Sequence, residues 1–423
     1  MFYGWKLLIA LCFIFLCAMG PQIYGFVVVL PAMVEELGWS RTAAGAGVSI
    51  MMVSMGLSGP IIAAAIVKYG VRPVMVAGGF IASSGAVITY FAETLTQFYL
   101  GAGVLMGIGM GMQVVLPGSQ AITNWFSLKR ATAMGIFMAI GGLAAFILSP
   151  TLAGLIESTG NWRLIWLIMA AGSLIASAIA FFFVVGTPQE KGLNPDGLSD
   201  EEFAQLNATD STATPRKVHQ TNAVWQIGEA LRTRSFWLIT LGTCTALYGS
   251  TIVTSQLTLF LKDAGYSALF AGSIVGVTGI AGIVGRISAG VLGDRVEPRL
   301  ILIAGLTLEL ISFVILLNAN EPAMVYGFAA VFGLGFGFAF VSATTVIANY
   351  YGPEAYAVLF GVGALIGTLC AGLAPILSGL SFDKLGTYHP ALYSYVAVGS
   401  VIIVLIAMTR PPQPAEAQEP IET

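Results

Sequence analysis

The feature that most constrains this chain is an apolar run of roughly twenty residues, which recurs along the whole sequence and matches the length of a membrane-spanning helix. Of the 423 residues, 57% are hydrophobic and only 9% are charged. A soluble domain is about a quarter charged. The predicted fold class is therefore an all-α membrane protein.

Charged, polar and Gly/Pro clusters divide the apolar sequence into twelve predicted spans. The first six spans are predicted at 5–34, 42–67, 73–92, 96–126, 131–156 and 163–186. The second six are predicted at 235–261, 267–293, 299–318, 322–350, 354–382 and 388–409. The predicted domains are an N-terminal six-helix bundle (1–186), a central cytoplasmic loop (187–234), a C-terminal six-helix bundle (235–409) and a cytoplasmic tail (410–423).

Lys and Arg predict the orientation of these spans. Thirteen of the 18 fall on the side of the N-terminus, four fall on the other side, and Arg286 lies within a span. Because positive charge accumulates in cytoplasmic loops, both termini are expected in the cytoplasm of a multi-pass inner-membrane protein. A net charge of −3, with no basic cluster, argues against nucleic-acid binding.

The two halves of the sequence are related. "AIVKYGVRPVMVAG" (65–78) aligns with "LGDRVEPRLILIAG" (292–305) at an offset of 227. At an offset of 226, Gly107, Gly109 and Gly111 align with Gly333, Gly335 and Gly337. Two parallel six-helix repeats, related by an axis along the membrane normal, are typical of major facilitator transporters.

Arg286, in the eighth span, is the main candidate binding residue. At least seven uncharged residues flank it on each side within "GIAGIVGRISAGVLGDR" (279–295). A guanidinium group keeps its charge and is costly in hydrocarbon, so it must meet a cavity, a partner or the headgroup region. Its planar fork suits a carboxylate, which predicts an anion site. The alternative is an arginine that snorkels or pairs helices.

Other candidates lie on neighbouring spans. The predicted substrate-binding residues besides Arg286 are Tyr24, Gln113, Gln120, Tyr248, Phe336, Phe340 and Cys370. For the polar members the alternative is an interhelical hydrogen bond, and for the phenylalanine pair it is core packing. The four cysteines have neither disulfide nor metal-ligand spacing and are expected to be small buried residues, so no metal and no cofactor is predicted.

Glu309, in the ninth span, is the other intramembrane charge. Since a lone carboxyl in hydrocarbon favours its protonated form, a neutral hydrogen-bonded role is expected. A role in carrying the coupled proton is the alternative.

Two equivalent turns are predicted to gate the cytoplasmic side. They are "VKYGVRP" (67–73), with Lys68 and Arg72, and "GDRVEPR" (293–299), with Asp294 and Arg295. Asp294 and Arg295 are expected to pair with neighbouring helix ends. Val67 occupies the position of Asp294 in the first half, so the two turns are expected to differ.

Four motifs resemble the monocarboxylate transporter family within the major facilitator superfamily. They are "YGW" (3–5), "GPIIAAAIVKYGVRPVMVAGG" (59–79), "NWFSLKRATAMGIFMAIGG" (124–142) and "TPQEKGLNPDG" (187–197), the last also resembling oxalate–formate exchangers. The resemblance implies alternating-access transport of lactate- or pyruvate-like monocarboxylates, usually with a proton, and its conserved eighth-span arginine falls on Arg286. We expect a functional monomer in the bilayer.

The sequence departs from that family in two places. The acidic residue that precedes the arginine by four in animal members is Gly282 here, and no lysine follows Lys6 in the first span. The usual carboxylate for proton coupling is therefore absent from its position. Exchange of oxalate- or formate-like anions is the first alternative function, and a non-transporting sensor is a remote one. An enzyme is not predicted, because no nucleophile–base spacing occurs in a span.

Overall fold

The computed structural model describes residues 2–208, 218–221 and 223–413, and all regular secondary structure in these ranges is helical. The polar segment "STATPRKVHQTN" (211–222), whose composition predicts no regular structure, lies largely outside them. Eleven of the described helical segments are long and apolar enough to span a membrane. One of them, Pro322–Phe382, has 61 residues, whereas the others have 19 to 31, and it accounts for two of the twelve predicted spans.

Most helix bounds agree with the predicted spans to within a few residues. The first nine helices are α1 (Tyr3–Cys17), α2 (Phe26–Leu37), α3 (Arg41–Tyr69), α4 (Val71–Tyr90), α5 (Leu95–Phe98), α6 (Met106–Gln113), α7 (Val115–Trp125), α8 (Arg130–Thr159) and α9 (Arg163–Phe183). The others are α10 (Asp200–Ala208), α11 (Ile227–Ala230), α12 (Arg234–Asp263), α13 (Ala268–Gly293), α14 (Pro298–Leu317), α15 (Pro322–Leu385) and α16 (His389–Ala407).

Helix α15 bends at Gly352. The residue has φ +73° and ψ 175°, a conformation open to glycine but strained for other residues. Pro353 follows, and proline suits the first turn of a helix because its missing N–H has no partner to lose there. The bend therefore separates two arms, 322–351 and 353–385, which correspond to the tenth and eleventh predicted spans.

The first and fourth spans each contain a π-helical turn, which the sequence did not predict. The π-helical turn Pro21–Gly25 leads into α2, and a second, Tyr99–Leu105, joins α5 to α6. Pro21 has no N–H to donate to the carbonyl of Cys17, four residues earlier. Helix α9 approaches that carbonyl so closely that a Cβ on Gly172 would lie 2.2 Å from its oxygen. A glycine is therefore required at this contact.

The repeat that the sequence predicts is visible in the helix packing. In the first half, a Cβ on Gly109 would lie 2.6 Å from the carbonyl oxygen of Gly78. In the second half, a Cβ on Gly335 would lie 2.8 Å from the carbonyl oxygen of Gly305. These glycines are equivalent in the sequence alignment. Both halves thus bring the corresponding helices, α4 with α6 and α14 with α15, into direct backbone contact.

The chain divides into two compact units. The first contains residues 2–128 and 140–208, and the second contains 129–139 together with the described residues from 218 onwards. The core of the first unit includes edge-to-face contacts of Phe26 with Trp166 and of Phe98 with Trp166. The core of the second unit is centred on Phe313, which contacts three aromatic rings, including that of Tyr395.

The segment "SDEEFAQL" (199–206) has Ser199 as a candidate N-cap before acidic residues and predicts a short helix in the central loop, which is present as α10. Its N-cap, Ser199, accepts a hydrogen bond from the Glu202 N–H at 3.2 Å, and the Glu202 carboxylate accepts one from the Ser199 N–H at 2.9 Å. The hydrogen bonds with Ser199 lower the pKa of the exposed Glu202 carboxyl. This reciprocal pair is a capping box, which satisfies two of the backbone donors left free at a helix start.

Candidate functional site

Arg286 lies on α13, where that helix packs tightly against the first arm of α15. A Cβ on Gly337 would lie 2.7 Å from the backbone nitrogen of Arg286, and a Cβ on Gly285 would lie 2.6 Å from the carbonyl oxygen of Leu334. The half-buried guanidinium has its Cζ atom 5.6 Å from the centroid of the Phe336 ring. Because the ring face is electron-rich, this cation–π contact stabilises a charge that has lost part of its hydration.

Phe336 belongs to a stack of four phenylalanines spaced four residues apart on α15. Neighbouring centroids from Phe328 to Phe332, Phe336 and Phe340 are 5.8, 6.3 and 5.6 Å apart, with interplanar angles of 28°, 3° and 26°. Phe328 and Phe332 are buried in the core, whereas Phe336 and Phe340 are partly exposed. Arg286 therefore meets the stack where it passes from core to accessible surface.

Two other predicted substrate-binding residues, Tyr248 and Cys370, lie in the second unit beside residues that were not predicted to bind substrate. Tyr248 stacks on Tyr395 of α16, with centroids 5.6 Å apart and an interplanar angle of 16°. Cys370, on the second arm of α15, is half-buried and lies near the Cys244 thiol of α12. These contacts agree with the packing alternative, and substrate roles for Tyr248 and Cys370 stay predictions.

In the first unit, Gln113 is fully buried and joins helices. Its Nε2 donates to the carbonyl oxygen of Ser173 at 2.8 Å and to Oγ of Ser177 at 3.3 Å. Gln22, also fully buried, donates from Nε2 to Oγ of Ser173 at 3.0 Å. These are hydrogen bonds between helices, the role that the sequence left open for Gln113 as the alternative to substrate binding. The two serines, spaced i, i+4 on α9, could have been noticed from that spacing.

Tyr24 and Gln120 also make hydrogen bonds within the first unit. The Tyr24 hydroxyl donates to the carbonyl oxygen of Gly141 at 2.9 Å. Gln120 donates to Oδ1 of Asn124 at 2.7 Å, and Asn124 donates to the carbonyl oxygen of Gly186 at 2.9 Å. A substrate role for either candidate stays a prediction.

Glu309 is fully buried in the second unit. The Tyr395 hydroxyl lies 3.1 Å from Oε2 of Glu309 and 3.1 Å from the carbonyl oxygen of Thr245. A Cβ on Gly249 would lie 2.3 Å from that hydroxyl, so glycine is needed for the cluster to form. A phenol has one proton, and it can donate to Thr245 while accepting from a protonated Glu309. The arrangement fits a neutral carboxyl.

Asp294 caps the start of α8, within the second unit. Its carboxylate accepts from the N–H of Ala131 at 2.9 Å, from the N–H of Thr132 at 3.2 Å and from the Thr132 hydroxyl. A negative charge there satisfies free donors and interacts favourably with the helix dipole. Close backbone contact continues along both helices, since a Cβ on Gly135 would lie 2.5 Å from the carbonyl oxygen of Arg286.

Arg130 strengthens the same junction. Its guanidinium is nearly buried and donates to the carbonyl oxygen of Ala348 at 3.1 Å and to Oδ1 of Asn349 at 2.8 Å. Nearby, Glu297 accepts from the Tyr350 hydroxyl at 3.1 Å and from the His219 N–H at 2.9 Å. Arg130 and Glu297 were not predicted as site residues, although they lie in the motifs 124–142 and 293–299.

The remaining gating candidates have separate environments. Arg295 and Lys68 are exposed, and Nζ of Lys68 lies 5.0 Å from the centroid of the Tyr69 ring. Arg72 donates to the carbonyl oxygen of Val184, at the end of the sixth span. The gating roles of these residues stay predictions.

Asp196, in the first unit, has φ 58° and accepts hydrogen bonds from the backbone N–H groups of Ser127 and Leu128, both at 2.7 Å.

Comparison with known proteins decides the family. A family model for the Major Facilitator Superfamily matches residues 9–299 and 288–423. The chain therefore belongs to the Major Facilitator Superfamily. Solved structures support the fold. The transporter FucP in its outward conformation superposes with a TM-score of 0.71 at 15% identity, covering 96% of this chain and 98% of that one. The human organic anion transporter MFSD10 (TETRAN) gives 0.71 at 14% identity, covering 95% and 98%.

Curated relatives of this superfamily member confirm the resemblance in its motifs. Monocarboxylate transporter 2 of Homo sapiens is 25% identical over 84% of this chain and 74% of its own length. Monocarboxylate transporter 13 of Rattus norvegicus is 26% identical over 95% and 87%. The protein is thus a multi-pass membrane transporter with monocarboxylate transporters among its relatives, and it is not an enzyme.

Proposed function

We propose that this protein carries small monocarboxylates of the lactate or pyruvate type across the inner membrane by alternating access, together with a proton. The observation that supports the proposal best is Arg286, a half-buried permanent cation on a membrane helix whose head lies against Phe336. A planar guanidinium binds a carboxylate through two parallel hydrogen bonds. The phenylalanine face beside it suits the short apolar part of such a substrate.

The remaining elements of the proposal rest on the sequence. Both termini lie in the cytoplasm, since positive charge is concentrated on that side. The protein acts as a monomer. Asp294 and Arg295, with Lys68 and Arg72, belong to the cytoplasmic gate, and the capping of α8 by Asp294 supports a role for that residue.

Exchange of small organic anions such as oxalate and formate is the second candidate function. It is favoured by the segment 187–197, which resembles that of known exchangers and contains Asp196, the residue that binds the backbone just before α8. The two functions use the same carboxylate site. They differ in whether the empty carrier returns across the membrane.

Uptake into proteoliposomes tests the carboxylate site. Labelled lactate, pyruvate, formate and oxalate are supplied to wild type, to Arg286→Lys and to a control, Arg410→Lys, whose exposed arginine lies beyond the last span. Lysine keeps the charge but loses the bidentate geometry, so Arg286→Lys is expected to lower uptake by about ten-fold, and the control to leave it unchanged. Normal uptake by a folded Arg286→Lys protein contradicts the proposal.

The same vesicles separate the two candidate functions. A proton-linked symporter accumulates lactate when an inward proton gradient is imposed, without any anion inside. An exchanger requires an internal anion, and its uptake rises several-fold when unlabelled substrate is loaded at equal pH. Stimulation by internal anion with no response to the gradient favours exchange.

A further inference from the structure

We infer that the first unit binds an anionic phospholipid in a groove between α1 and α9. The groove has a volume of about 610 Å³ and is lined by Tyr3, Lys6, Ile9, Phe13, Phe182 and Phe183, among others. The segment Tyr3–Gly25, which begins with α1, and helix α9 are each long and apolar enough to span the membrane. This inference does not depend on the transported substrate.

Two lysines lie at one end of the groove: Lys6 lines it, and Lys191 lies against the ring of Tyr3, another lining residue. Lys6 is exposed and sits three residues after Tyr3, hence on the same face of α1. Lys191, from the short turn after α9, has its Nζ 4.3 Å from the centroid of the Tyr3 ring. Tyr3 holds the two helices together, because its hydroxyl donates to the carbonyl oxygen of Phe183 at 2.9 Å. The end of the groove at Tyr3 therefore carries two lysines, one on α1 and one from the turn after α9.

A nearby carboxylate, that of Glu190, offsets only one of the two positive charges. Glu190 adjoins Lys191, but its Oε1 accepts from the Thr187 N–H at 3.1 Å and from the Thr187 hydroxyl at 3.4 Å. It thus acts as the cap of the turn. Phosphate oxygens are good partners for lysine ammonium groups, and anionic lipids attract basic residues at the edge of a span.

Away from the lysines the groove is apolar. The exposed fractions of Ile9, Phe13, Phe182 and Phe183 are 50%, 54%, 72% and 55%. Lys6, Ile9 and Phe13 follow one another along α1 at helical spacing, so the surface changes from cationic to apolar over roughly 10 Å at 1.5 Å per residue. A phospholipid has the same order, with a charged headgroup at the interface and acyl chains in the hydrocarbon.

The charge of the groove selects among lipids. Two cations and one carboxylate leave a net positive charge, which favours a headgroup of net negative charge, such as phosphatidylglycerol. Phosphatidylcholine has the same phosphate and acyl chains but carries a quaternary ammonium, which the two lysines repel. We therefore assign the groove to an anionic phospholipid and expect it to prefer phosphatidylglycerol over phosphatidylcholine.

Native mass spectrometry of the full-length protein, titrated with each lipid, tests this assignment. The variants are Lys6→Gln, Lys191→Gln and their combination, and the matched control is Lys384→Gln, which removes an exposed lysine at the end of α15. We expect each groove lysine to account for about five-fold in phosphatidylglycerol affinity, while phosphatidylcholine binding stays constant.

A further variant tests the apolar part. Ile9→Trp keeps both lysines but fills the groove, and it is expected to lower the binding of phosphatidylglycerol while the melting temperature stays constant. Two results overturn the inference. One is unchanged phosphatidylglycerol binding in the double lysine variant. The other is a loss of equal size in Lys384→Gln, which would mean that surface charge in general, and not this groove, attracts the lipid.

Discussion

The carboxylate of Asp294 accepts a hydrogen bond at 2.9 Å from the backbone N–H of Ala131, although 163 positions separate the two residues. The bond connects the end of α13, which carries Arg286, to the first turn of α8. A membrane helix start that lacks such a partner has free backbone donors. The candidate gate and the candidate anion site are thus joined through one helix.

Asp294→Asn is expected to weaken this cap. Asparagine keeps an acceptor oxygen but loses the charge that favours a helix start, so the loss of stability should be about 0.5–1 kcal/mol, and Asp294→Ala should cost more. The measurement is the melting temperature in detergent, together with the labelling of cysteines placed on each membrane face. The control is Asp263→Asn, at the exposed end of α12. Identical melting and labelling in wild type and both Asp294 variants would contradict the cap.

Glu309→Gln is expected to preserve both fold and proton-driven uptake. The amide can still hydrogen-bond to Tyr395 and, like a protonated carboxyl, it is neutral. Glu309→Ala leaves the buried phenol without that partner, which should cost about 1–3 kcal/mol. The melting temperature and lactate uptake under a pH gradient are measured for both variants. Loss of gradient-driven uptake in a stable Glu309→Gln protein would instead assign proton transfer to Glu309.

The sequence predicted the helices well, because span length and charged loops depend on local composition. It did not predict the π-helical turns within the spans 5–34 and 96–126. Pro21 is a sequence signal for the first of these turns. The sequence could not show that α9 approaches the carbonyl of Cys17. That contact is made by Gly172, which is more than 150 residues away along the chain.

The site was predicted less completely, and for a physical reason. Helical spacing shows which residues share a face, so it paired Phe336 with Phe340 correctly. It does not show how far each helix is rotated toward its neighbours. The contact between Arg286 and Phe336, and that between Glu309 and Tyr395, depend on this rotation. Backbone contacts such as the Asp294 cap depend on where a distant helix begins.

Gly337→Ala is expected to destabilise the second unit. The added methyl group would lie 2.7 Å from the backbone nitrogen of Arg286 and 2.8 Å from the carbonyl oxygen of Gly282, and backbone atoms cannot move aside as a flexible side chain can. Overpacking of this kind costs about 1–3 kcal/mol. The control is Gly327→Ala on the same arm of α15, where a Cβ meets no atom within 4 Å. Equal melting temperatures for the two variants would contradict the close packing of α13 on α15.

Phe336→Leu is expected to weaken substrate binding more than folding. Leucine retains an apolar side chain but has no ring face for the Arg286 guanidinium, whose Cζ lies 5.6 Å from the ring centroid. Loss of a cation–π contact worth about 0.5–2 kcal/mol should raise KM for lactate by roughly two- to thirty-fold. Phe332→Leu is the matched control from the same stack. Phe332 is buried in the core, so its variant should lower the melting temperature while KM changes little. The two variants thus separate substrate binding from core packing, and equal KM values for wild type and a folded Phe336→Leu protein would show that the ring does not help Arg286 to bind the carboxylate.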